Sequence, residues 1–388
     1  MLKSSVGYST DKDSYMEGGI SAKGVLESIQ KPKIAMLYTS VDCDIPQVIK
    51  GAKDVLGNTP IIGCTSSAGV MTQDGFITSE NGFTGIMGIE EESMVVAVAG
   101  SERGNNARET GRKVAREALE KSGKEYPPAF FYMVASPKEE EEYIRGIEDA
   151  IGTVPVFGGS AADNTVEGKW SIFVEDKIFS DGVAVAFFYT DKKMSNVFTG
   201  SYKETNNVGV ITKVEGRRTL VEIDNKPAIE KYAQWTGEPI ETLKGTNLLV
   251  TTITKPLGVK DTLGTLTAIR HPMFGNENYS MNIGADLAVN TAIIQMEASI
   301  DDMILATGTA LRKVNEELNN KTGALFLVHC GGRRLGIGDR IDEVYKLLVK
   351  EANGLPFLTV FTFGEYGQTD HSDNTTGGLM LSFVGIEK

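Results

Sequence analysis

Short apolar runs alternate with amphipathic segments along most of the chain. Apolar runs at 34–38, 129–134 and 324–329 are each followed by a segment with helical periodicity, at 45–56, 139–151 and 339–351. A second apolar run then begins at a proline, namely Pro60, Pro155 or Pro356. This order of strand, helix and strand predicts βαβ units, with parallel strand pairs and helices on the sheet faces.

The second strand of each unit breaks into a turn. The first two turns are rich in small residues and read Gly63-Cys64-Thr65-Ser66 and Gly158-Gly159-Ser160-Ala161, and the C-terminal copy reads Gly364-Glu365-Tyr366-Gly367. Strand-like segments that can form hairpins follow the turns. The predicted fold class is α/β, with internally repeated βαβ-plus-hairpin units that form mixed sheets flanked by helices, in two domains.

Two segments depart from this repeat. Residues 1–31 are polar and glycine-rich, and we interpret them as a loose N-terminal extension with one short helix near 22–29. Residues 206–285 contain many short β-like runs, which predict a separate antiparallel sheet after a linker near 201–207. The predicted division is therefore an extension over 1–31, a first domain over 32–205 and a second domain over 206–388.

Composition narrows the class of function. The chain has 388 residues, 41% of them hydrophobic, and a formal net charge of −13. Such a chain can build a large core, and its negative charge disfavours binding to nucleic acid or to anionic lipid. The three cysteines do not form a disulfide framework, and no apolar stretch is long enough for a membrane-spanning helix. We expect a cytoplasmic protein without membrane insertion.

The turns are the first candidate binding site. Strands of an open α/β sheet present their carboxyl ends to a crevice in which ligands usually bind. The candidate ligand-binding residues there are Gly63, Cys64, Thr65, Ser66, Gly159, Ser160, Asp163 and Asn164. The alternative is that the glycines only permit tight turns. The chain has no phosphate-binding loop and no metal-binding motif built on its three histidines.

The C-terminal copy carries more reactive side chains. Cys330 ends a strand close to Arg333 and Arg334, two cations that could lower its pKa; otherwise it is a half-buried thiol. The stretch 365–376 is dense in hydrogen-bonding groups and could form a polar wall for a ligand. His371 in this stretch is either a haem ligand or a solvated loop residue.

Taken together, these motifs resemble the FIST family. The first two turns, extended to Gly69 and Asn164, resemble the hallmark turns of the FIST N-terminal domain. The elements that resemble the C-terminal domain are Val221-Glu222-Ile223-Asp224-Asn225-Lys226-Pro227-Ala228 with Tyr232, His329-Cys330-Gly331-Gly332-Arg333, and Phe363-Gly364-Glu365 with Asp373-Asn374-Thr375-Thr376. The resemblance covers about residues 33–388.

The resemblance implies a sensory signal-transduction protein that binds a small ligand, such as an amino acid or a related metabolite. It also implies a signalling partner, such as a histidine kinase, a cyclic-dinucleotide enzyme or a chemotaxis receptor. Some members, the NosP-type proteins, bind haem and sense nitric oxide. Here Asp373 stands at the place of the family's closing histidine, and Asn225 at the place of a usual glycine.

The leading prediction is a non-catalytic sensor without a cofactor. Arg333 would bind a ligand carboxylate, and Glu365 would bind an amino group or orient Arg333. Cys330, Asn374 and Thr375 would complete the pocket together with the turn residues. The alternatives are a haem-based nitric oxide sensor that uses His371 and a thiol-dependent enzyme that uses Cys330.

Overall fold

Three sheets of one topology, together with an inserted antiparallel subdomain, make up the fold in a computed structural model of the chain. The structure describes residues 1–200, 202–260, 264, 267–368 and 373–388. Each of the three units, here called repeats, contains an outer strand, a helix, a parallel βαβ unit, a hairpin and a returning strand. The repetition predicted from the sequence is therefore confirmed.

The first two repeats are continuous in sequence. Repeat 1 consists of β1 (Lys3–Ser9), α1 (Ser14–Leu26), β2 (Ile34–Thr39), α2 (Ile45–Leu56), β3 (Ile61–Thr65), β4 (Val70–Thr72), β5 (Gly75–Ile77) and β6 (Thr84–Glu90). Repeat 2 consists of β7 (Val95–Glu102), α3 (Ala107–Ser122), β8 (Phe130–Ala135), α4 (Glu140–Ile151), β9 (Val156–Ser160), β10 (Ile172–Val174), β11 (Lys177–Phe179) and β12 (Gly182–Tyr189).

The third repeat is interrupted after its first strand, β13 (Met194–Thr199). The insert consists of β14 (Lys203–Glu215), β15 (Thr219–Ile223), β16 (Lys226–Pro227), α5 (Ala228–Thr236), α6 (Ile240–Leu243), β17 (Leu257–Lys260), β18 (Thr267–Arg270), β19 (Pro272–Gly275), β20 (Met281–Ile283) and β21 (Ala292–Glu297). Repeat 3 resumes with α7 (Ile300–Glu317), β22 (Thr322–Cys330), α8 (Gly331–Ile337), a 3₁₀ turn (Gly338–Arg340), α9 (Ile341–Ala352), β23 (Leu358–Thr362), β24 (Glu365–Gly367), β25 (Thr375–Gly377) and β26 (Leu381–Glu387).

The repeats complete one another's sheets. The four strands of each repeat that lie outside its hairpin follow the order β1-β6-β2-β3, β7-β12-β8-β9 or β13-β26-β22-β23. The free side of the last strand then pairs with a hairpin from another repeat: β10–β11 joins β3, β24–β25 joins β9, and β4–β5 joins β23. This cyclic exchange pairs strand edges that would otherwise be exposed, and it fixes the three repeats to one another.

The inner faces of the three sheets share one apolar core. Tyr38 of repeat 1 and Tyr132 of repeat 2 are buried there, and their hydroxyl groups are hydrogen-bonded at 2.9 Å. Phe157 and Phe326 bring repeats 2 and 3 together in the same cluster. The helices cover the outer faces, and none in the described part of the chain is both long and apolar enough to cross a bilayer.

The prediction of a loose extension over residues 1–31 is wrong. Strand β1 pairs with β6 along its whole length, and helix α1 packs against α2. Asp13 caps α1 by accepting a hydrogen bond from the backbone N–H of Met16 at 2.9 Å. The helix predicted near 22–29 overlaps only the end of α1. The rest of α1 was missed because it packs through glycine rather than through large apolar side chains: a Cβ at Gly18 would lie 2.0 Å from the carbonyl oxygen of Val48.

The insert has its own antiparallel sheet, as predicted. The linker was expected near 201–207, but β14 begins at Lys203, and the predicted boundary between residues 205 and 206 falls inside this strand. Ion pairs hold the insert against repeat 2, because Arg218 contacts Glu140 at 2.6 Å and Arg217 contacts Glu142 at 3.0 Å. The acidic residues in the first turn of α4 therefore bind the insert. They also interact favourably with the positive end of the helix dipole.

Two neighbouring glycines test whether α1 is an integral part of the fold. We expect Gly18→Ala to lower the free energy of unfolding by about 1–3 kcal/mol, because the added methyl group collides with the α2 backbone. Gly19→Ala is the matched control, since its Cβ would meet its nearest neighbour at 3.6 Å. That variant should gain about 0.5–1 kcal/mol of helix propensity. Equal effects of both variants in urea unfolding would contradict this packing.

Candidate functional site

A cavity of about 180 Å³ lies where the turns of the repeats meet the insert. Repeats 1 and 2 contribute Ser67, Ala68, Asn164 and Val166 to its lining, and repeat 3 contributes Cys330, Gly331, Gly332, Arg334, Leu335, Phe363, Gly378 and Leu379. The insert contributes Leu249, His271, Met273 and Gly284. The expected crevice at the carboxyl ends of the strands therefore exists, but the insert forms one of its walls.

The three turns are joined by backbone hydrogen bonds. Ala162 N–H donates to Thr65 O at 3.0 Å, Ser67 N–H to Phe361 O at 2.9 Å, and Phe363 N–H to Ser160 O at 3.1 Å. Each bond links two repeats, so the turns form a closed ring. The backbone groups that were expected to face a ligand are thus used largely to hold the repeats together.

Most of the predicted turn residues serve this junction. Cys64, Thr65, Ser66 and Ser160 are buried and do not line the cavity. Gly63 and Gly159 allow close backbone packing, because a Cβ at Gly63 would lie 1.7 Å from the carbonyl oxygen of Leu37 in β2, and one at Gly159 would lie 2.7 Å from that of Gly364 in the turn before β24. For these two glycines, the structure supports the tight-packing alternative.

Asp163 and Asn164 shape the repeat 2 side of the cavity. The buried Asp163 carboxylate accepts hydrogen bonds from four backbone N–H groups between residues 165 and 169, and so it folds this loop. Asn164 lies on the cavity wall, where its Oδ1 accepts from the N–H of Ala68 at 2.8 Å. Of the turn residues predicted to bind a ligand, Asn164 is the one that reaches the cavity.

Strained backbone is concentrated at this site. Ala68, Val166 and Leu379 all line the cavity, and their φ angles are 60°, 61° and 56°. Side chains of this kind rarely adopt the left-handed region, least of all the β-branched Val166. Such strain persists only where the surrounding structure enforces it, and it is common at binding sites.

Arg334 supplies the charge of the cavity. No other charged residue is present in the described lining. Its Nε atom is buried without a hydrogen-bond partner among the described residues, and its guanidinium lies 5.1 Å from the centre of the Phe76 ring. Burial lowers its pKa and the nearby Asp339 opposes this effect, but an arginine remains protonated. A protonated guanidinium with an unpartnered N–H group can bind an anion.

Arg333, the predicted carboxylate ligand, points away from the cavity. Its side chain is fully buried, and its guanidinium donates to the carbonyl oxygens of Gly200 at 2.6 Å, Met303 at 2.8 Å and Leu379 at 3.4 Å. This geometry does not support direct ligand binding. In the short helix α8, adjacent side chains leave in different directions, and sequence alone does not tell which one faces a ligand.

Cys330 lines the cavity as a protonated thiol. Burial is the largest cause of its raised pKa, and the nearby Glu365 adds to it. The N–H groups of Gly332 and Leu379 donate to Sγ at 3.3 and 3.2 Å, but these contacts do not overcome the burial. The guanidinium of Arg333, which could have lowered the pKa of this thiol, is bound to backbone carbonyl groups instead, and the pKa of Cys330 stays raised by burial.

Glu365, Asn374 and Thr375 do not line the cavity either. Glu365 is buried and accepts hydrogen bonds from the Thr362 hydroxyl at 2.8 Å and from the N–H of Met380 at 2.9 Å. Burial raises its pKa to about 8. Asn374 binds Glu148 and the backbone of repeat 2, and Thr375 follows it in the exchanged strand β25. Asn374 and Thr375 therefore hold the hairpin in place.

His271 is a cavity residue that the sequence did not single out. It lies in the insert, its Nε2 is 3.1 Å from the carbonyl oxygen of Leu249, and burial lowers its pKa to about 4. His371, which would bind haem only in the alternative hypothesis, lies outside the described residues. In the described part of the chain, no group of three or more histidine, cysteine, aspartate or glutamate side chains is arranged to hold a metal ion.

Strands β2 and β8 of repeats 1 and 2 correspond to β22 of repeat 3. After β2 and β8 the chain continues with residues that carry side chains, whereas after β22 it continues with glycine. After β2, the Ser40 hydroxyl donates to Asp42 at 2.9 Å, and after β8, the Ser136 hydroxyl donates to Asp181 at 2.9 Å. After β22, the chain instead continues with Gly331 and Gly332, which have no side chain to fill the space. A Gly-Gly pair directly after a buried strand is therefore the sequence signal for the repeat whose strand end borders the cavity.

Comparison with known families agrees with the motifs. The FIST N domain matches residues 33–226 and the FIST C domain matches residues 228–368. The chain belongs to the FIST family. FIST domains are associated with sensory signal transduction and the binding of small ligands. The two domain models meet at the end of β16, inside the insert, so the FIST domains do not coincide with the structural repeats.

Other comparisons add little to the FIST assignment. No curated protein matches the chain. Among solved structures, cyanuric acid hydrolase from A. caulinodans aligns over 100% of both chains with a TM-score of 0.39 and 7% identity. PurL of T. maritima in complex with ADP aligns over 100% of this chain and 72% of its own, with a TM-score of 0.24 and 10% identity. Likeness at this level carries no information on function.

The buried Glu365 predicts a pH-dependent stability. Because its pKa in the folded FIST protein is about 8 against an ordinary 4.5, the folded state retains a proton that the unfolded state loses between these values. Stability should therefore fall as pH rises from about 5 to 8, by at most about 1.4 kcal/mol per pH unit. Glu365→Gln should lack this term, so its stability relative to wild type should rise over that range. A constant difference in urea unfolding would contradict a neutral Glu365.

The protonated state of Cys330 predicts slow alkylation. With iodoacetamide at pH 7, we expect Cys330 to react at least about 100-fold more slowly than an exposed thiol, because the thiolate is the reactive species. The variant Lys113→Cys supplies the reference thiol, since Lys113 is exposed on α3. Peptide mass spectrometry resolves the two sites. Equal rates would restore Cys330 as a candidate nucleophile.

Proposed function

We propose that this FIST protein is a non-enzymatic cytoplasmic sensor that binds a small carboxylate, such as an amino acid or a related metabolite. The observation that carries the proposal is Arg334, a cation with a buried, unpartnered Nε in a cavity whose described lining contains no acid. A carboxylate matches the planar guanidinium in charge and in geometry. The strained backbone around the cavity supports a binding role in the same place.

The remaining lining suggests the shape of the ligand. Leu249, Met273, Val166 and Leu335 form apolar walls, while Ser67 and Asn164 add polar groups. A volume of about 180 Å³ is below the roughly 300–1,000 Å³ of pockets for drug-sized ligands, which favours a small metabolite. We therefore expect one carboxylate on Arg334 and a short apolar or weakly polar remainder against these walls.

Neither alternative function gains support from the cavity. An enzyme would need a nucleophile or a base, but the Cys330 thiol is protonated, and the only histidine in the described lining is held by a backbone carbonyl. A haem-based sensor gains no support either, because the candidate axial ligand His371 lies outside the described residues and His271 in the lining contacts a backbone carbonyl. We propose instead that the sensor works without a cofactor and signals through a protein partner, such as a histidine kinase, a cyclic-dinucleotide enzyme or a chemotaxis receptor.

Thermal unfolding in the presence of small ligands tests this function. The set comprises the standard amino acids, small mono- and dicarboxylic acids and the matching amides, which lack the carboxylate. We expect at least one carboxylate to stabilise the wild-type protein, by about 2.7 kcal/mol at 100 times its Kd, and its amide to have no such effect. If no carboxylate in the set stabilises the protein, the proposal is refuted.

Arg334→Gln tests the residue itself. Losing one charge-assisted pair should weaken binding by at least about tenfold, as measured by calorimetry. Arg116→Gln is the matched control, because Arg116 is exposed on α3, away from the cavity. Undiminished binding to Arg334→Gln would remove Arg334 from the site.

A further inference from the structure

The insert joins the repeats through two short connections. The first runs from β13 through Gly200 and Tyr202 into β14, and the second runs from β21 through Ala298 and Ser299 into α7. Any movement of the insert relative to the repeats must change the backbone at one or both places. The insert also supplies one wall of the cavity, so its position affects the space available to a ligand.

Arg333 binds both connections at once. Its guanidinium donates to the carbonyl oxygen of Gly200 at 2.6 Å, at the first connection, and to that of Met303 at 2.8 Å, in the first turn of α7 at the second. A third contact, at 3.4 Å, reaches Leu379, which lines the cavity. A planar group with several donors in fixed directions can bridge these carbonyls, whereas a single ammonium group cannot.

This contact is electrostatically costly. Arg333 is 0% exposed, its Nε has no partner among the described residues, and its guanidinium hydrogen bonds all go to backbone carbonyl groups there. The carboxyl group of Glu365 acts on Arg333, but burial raises the pKa of Glu365 to about 8, so this group is protonated at neutral pH. A buried cation held by carbonyl dipoles alone is poorly compensated. Losing one of these hydrogen bonds would leave the buried charge still less compensated, so a displacement of Arg333 is transmitted to the carbonyl groups that hold it.

The cavity and this contact share one short helix. Arg334 lines the cavity and Arg333 reaches the connections, and both side chains leave α8, which has seven residues. Glycines lie at both ends of α8, at Gly331 and Gly338. The helix also touches the insert, because a Cβ at Gly336 would lie 2.8 Å from Cγ2 of Ile253. A displacement of Arg334 therefore also displaces Arg333, because the two residues are adjacent in α8.

We propose that Arg333 is a positioning residue that couples the occupancy of the cavity to the position of the insert. An anion on Arg334 shifts α8, and α8 changes the hydrogen bonds of Arg333 to Gly200 and Met303. The insert then moves relative to the repeats, which gives a partner protein a surface that differs between the two states. This inference rests on the proposed carboxylate-binding function and adds the route by which binding is transmitted.

Hydrogen–deuterium exchange of the full chain tests the coupling, with the tightest-binding carboxylate from the set above as the probe. In the wild-type protein, we expect a saturating probe to change exchange at least threefold in peptides that contain Gly200 and Met303. Peptides from α3 serve as the internal control. In Arg333→Lys, calorimetry should give a Kd within about threefold of wild type, while the exchange change at Gly200 and Met303 is lost.

The outcomes separate the two proposals. If no carboxylate binds the wild-type protein, both the function and the coupling are refuted. If the probe binds but exchange at Gly200 and Met303 does not change, the coupling alone is refuted, and the same holds if Arg333→Lys retains the full change. Should Arg333→Lys fail to fold, the wild-type measurement still decides, because it requires no variant.

Discussion

The exchange of hairpins among the three repeats is the constraint on which the rest of the structure depends. Each repeat builds a four-stranded sheet with an open last strand, β3, β9 or β23, and a hairpin from another repeat covers it. No repeat closes its own sheet, so the turns that lead into the hairpins must meet. The backbone bonds among these turns consume most of their polar groups, and this is why they form a junction rather than a binding surface.

Departures from the threefold repetition create the site. Aspartate and serine side chains occupy the strand ends of repeats 1 and 2, whereas Gly331 and Gly332 leave the strand end of repeat 3 open. The insert interrupts the same repeat and closes the open end from the other side. A single cavity can thus arise from three similar units without disturbing their shared core, because the changes lie at strand ends and not in the sheets.

Buried ionisable groups are concentrated around this cavity, and each is governed by desolvation. Arg333 is held by carbonyl oxygens, and burial keeps a proton on both Glu365 and Cys330. Leaving water is costly for a charge, so the acid and the thiol are neutral and only the arginines, which do not give up their proton, carry charge. The described lining of the cavity is therefore positively charged, and its cysteine thiol is protonated.

The sequence by itself determined the repeated βαβ-plus-hairpin units, the antiparallel insert and the FIST family, because strand alternation, helical periodicity and turn composition are local properties. Only the tertiary structure decided which repeat completes which sheet, that residues 1–31 belong to repeat 1, and that Arg334 rather than Arg333 faces the cavity. Glycine-mediated helix packing leaves little periodic signal, and the direction of a side chain on a short helix depends on what packs around it. The motif at the end of β22 lies beside the cavity, and only the fold shows which of its side chains line the cavity.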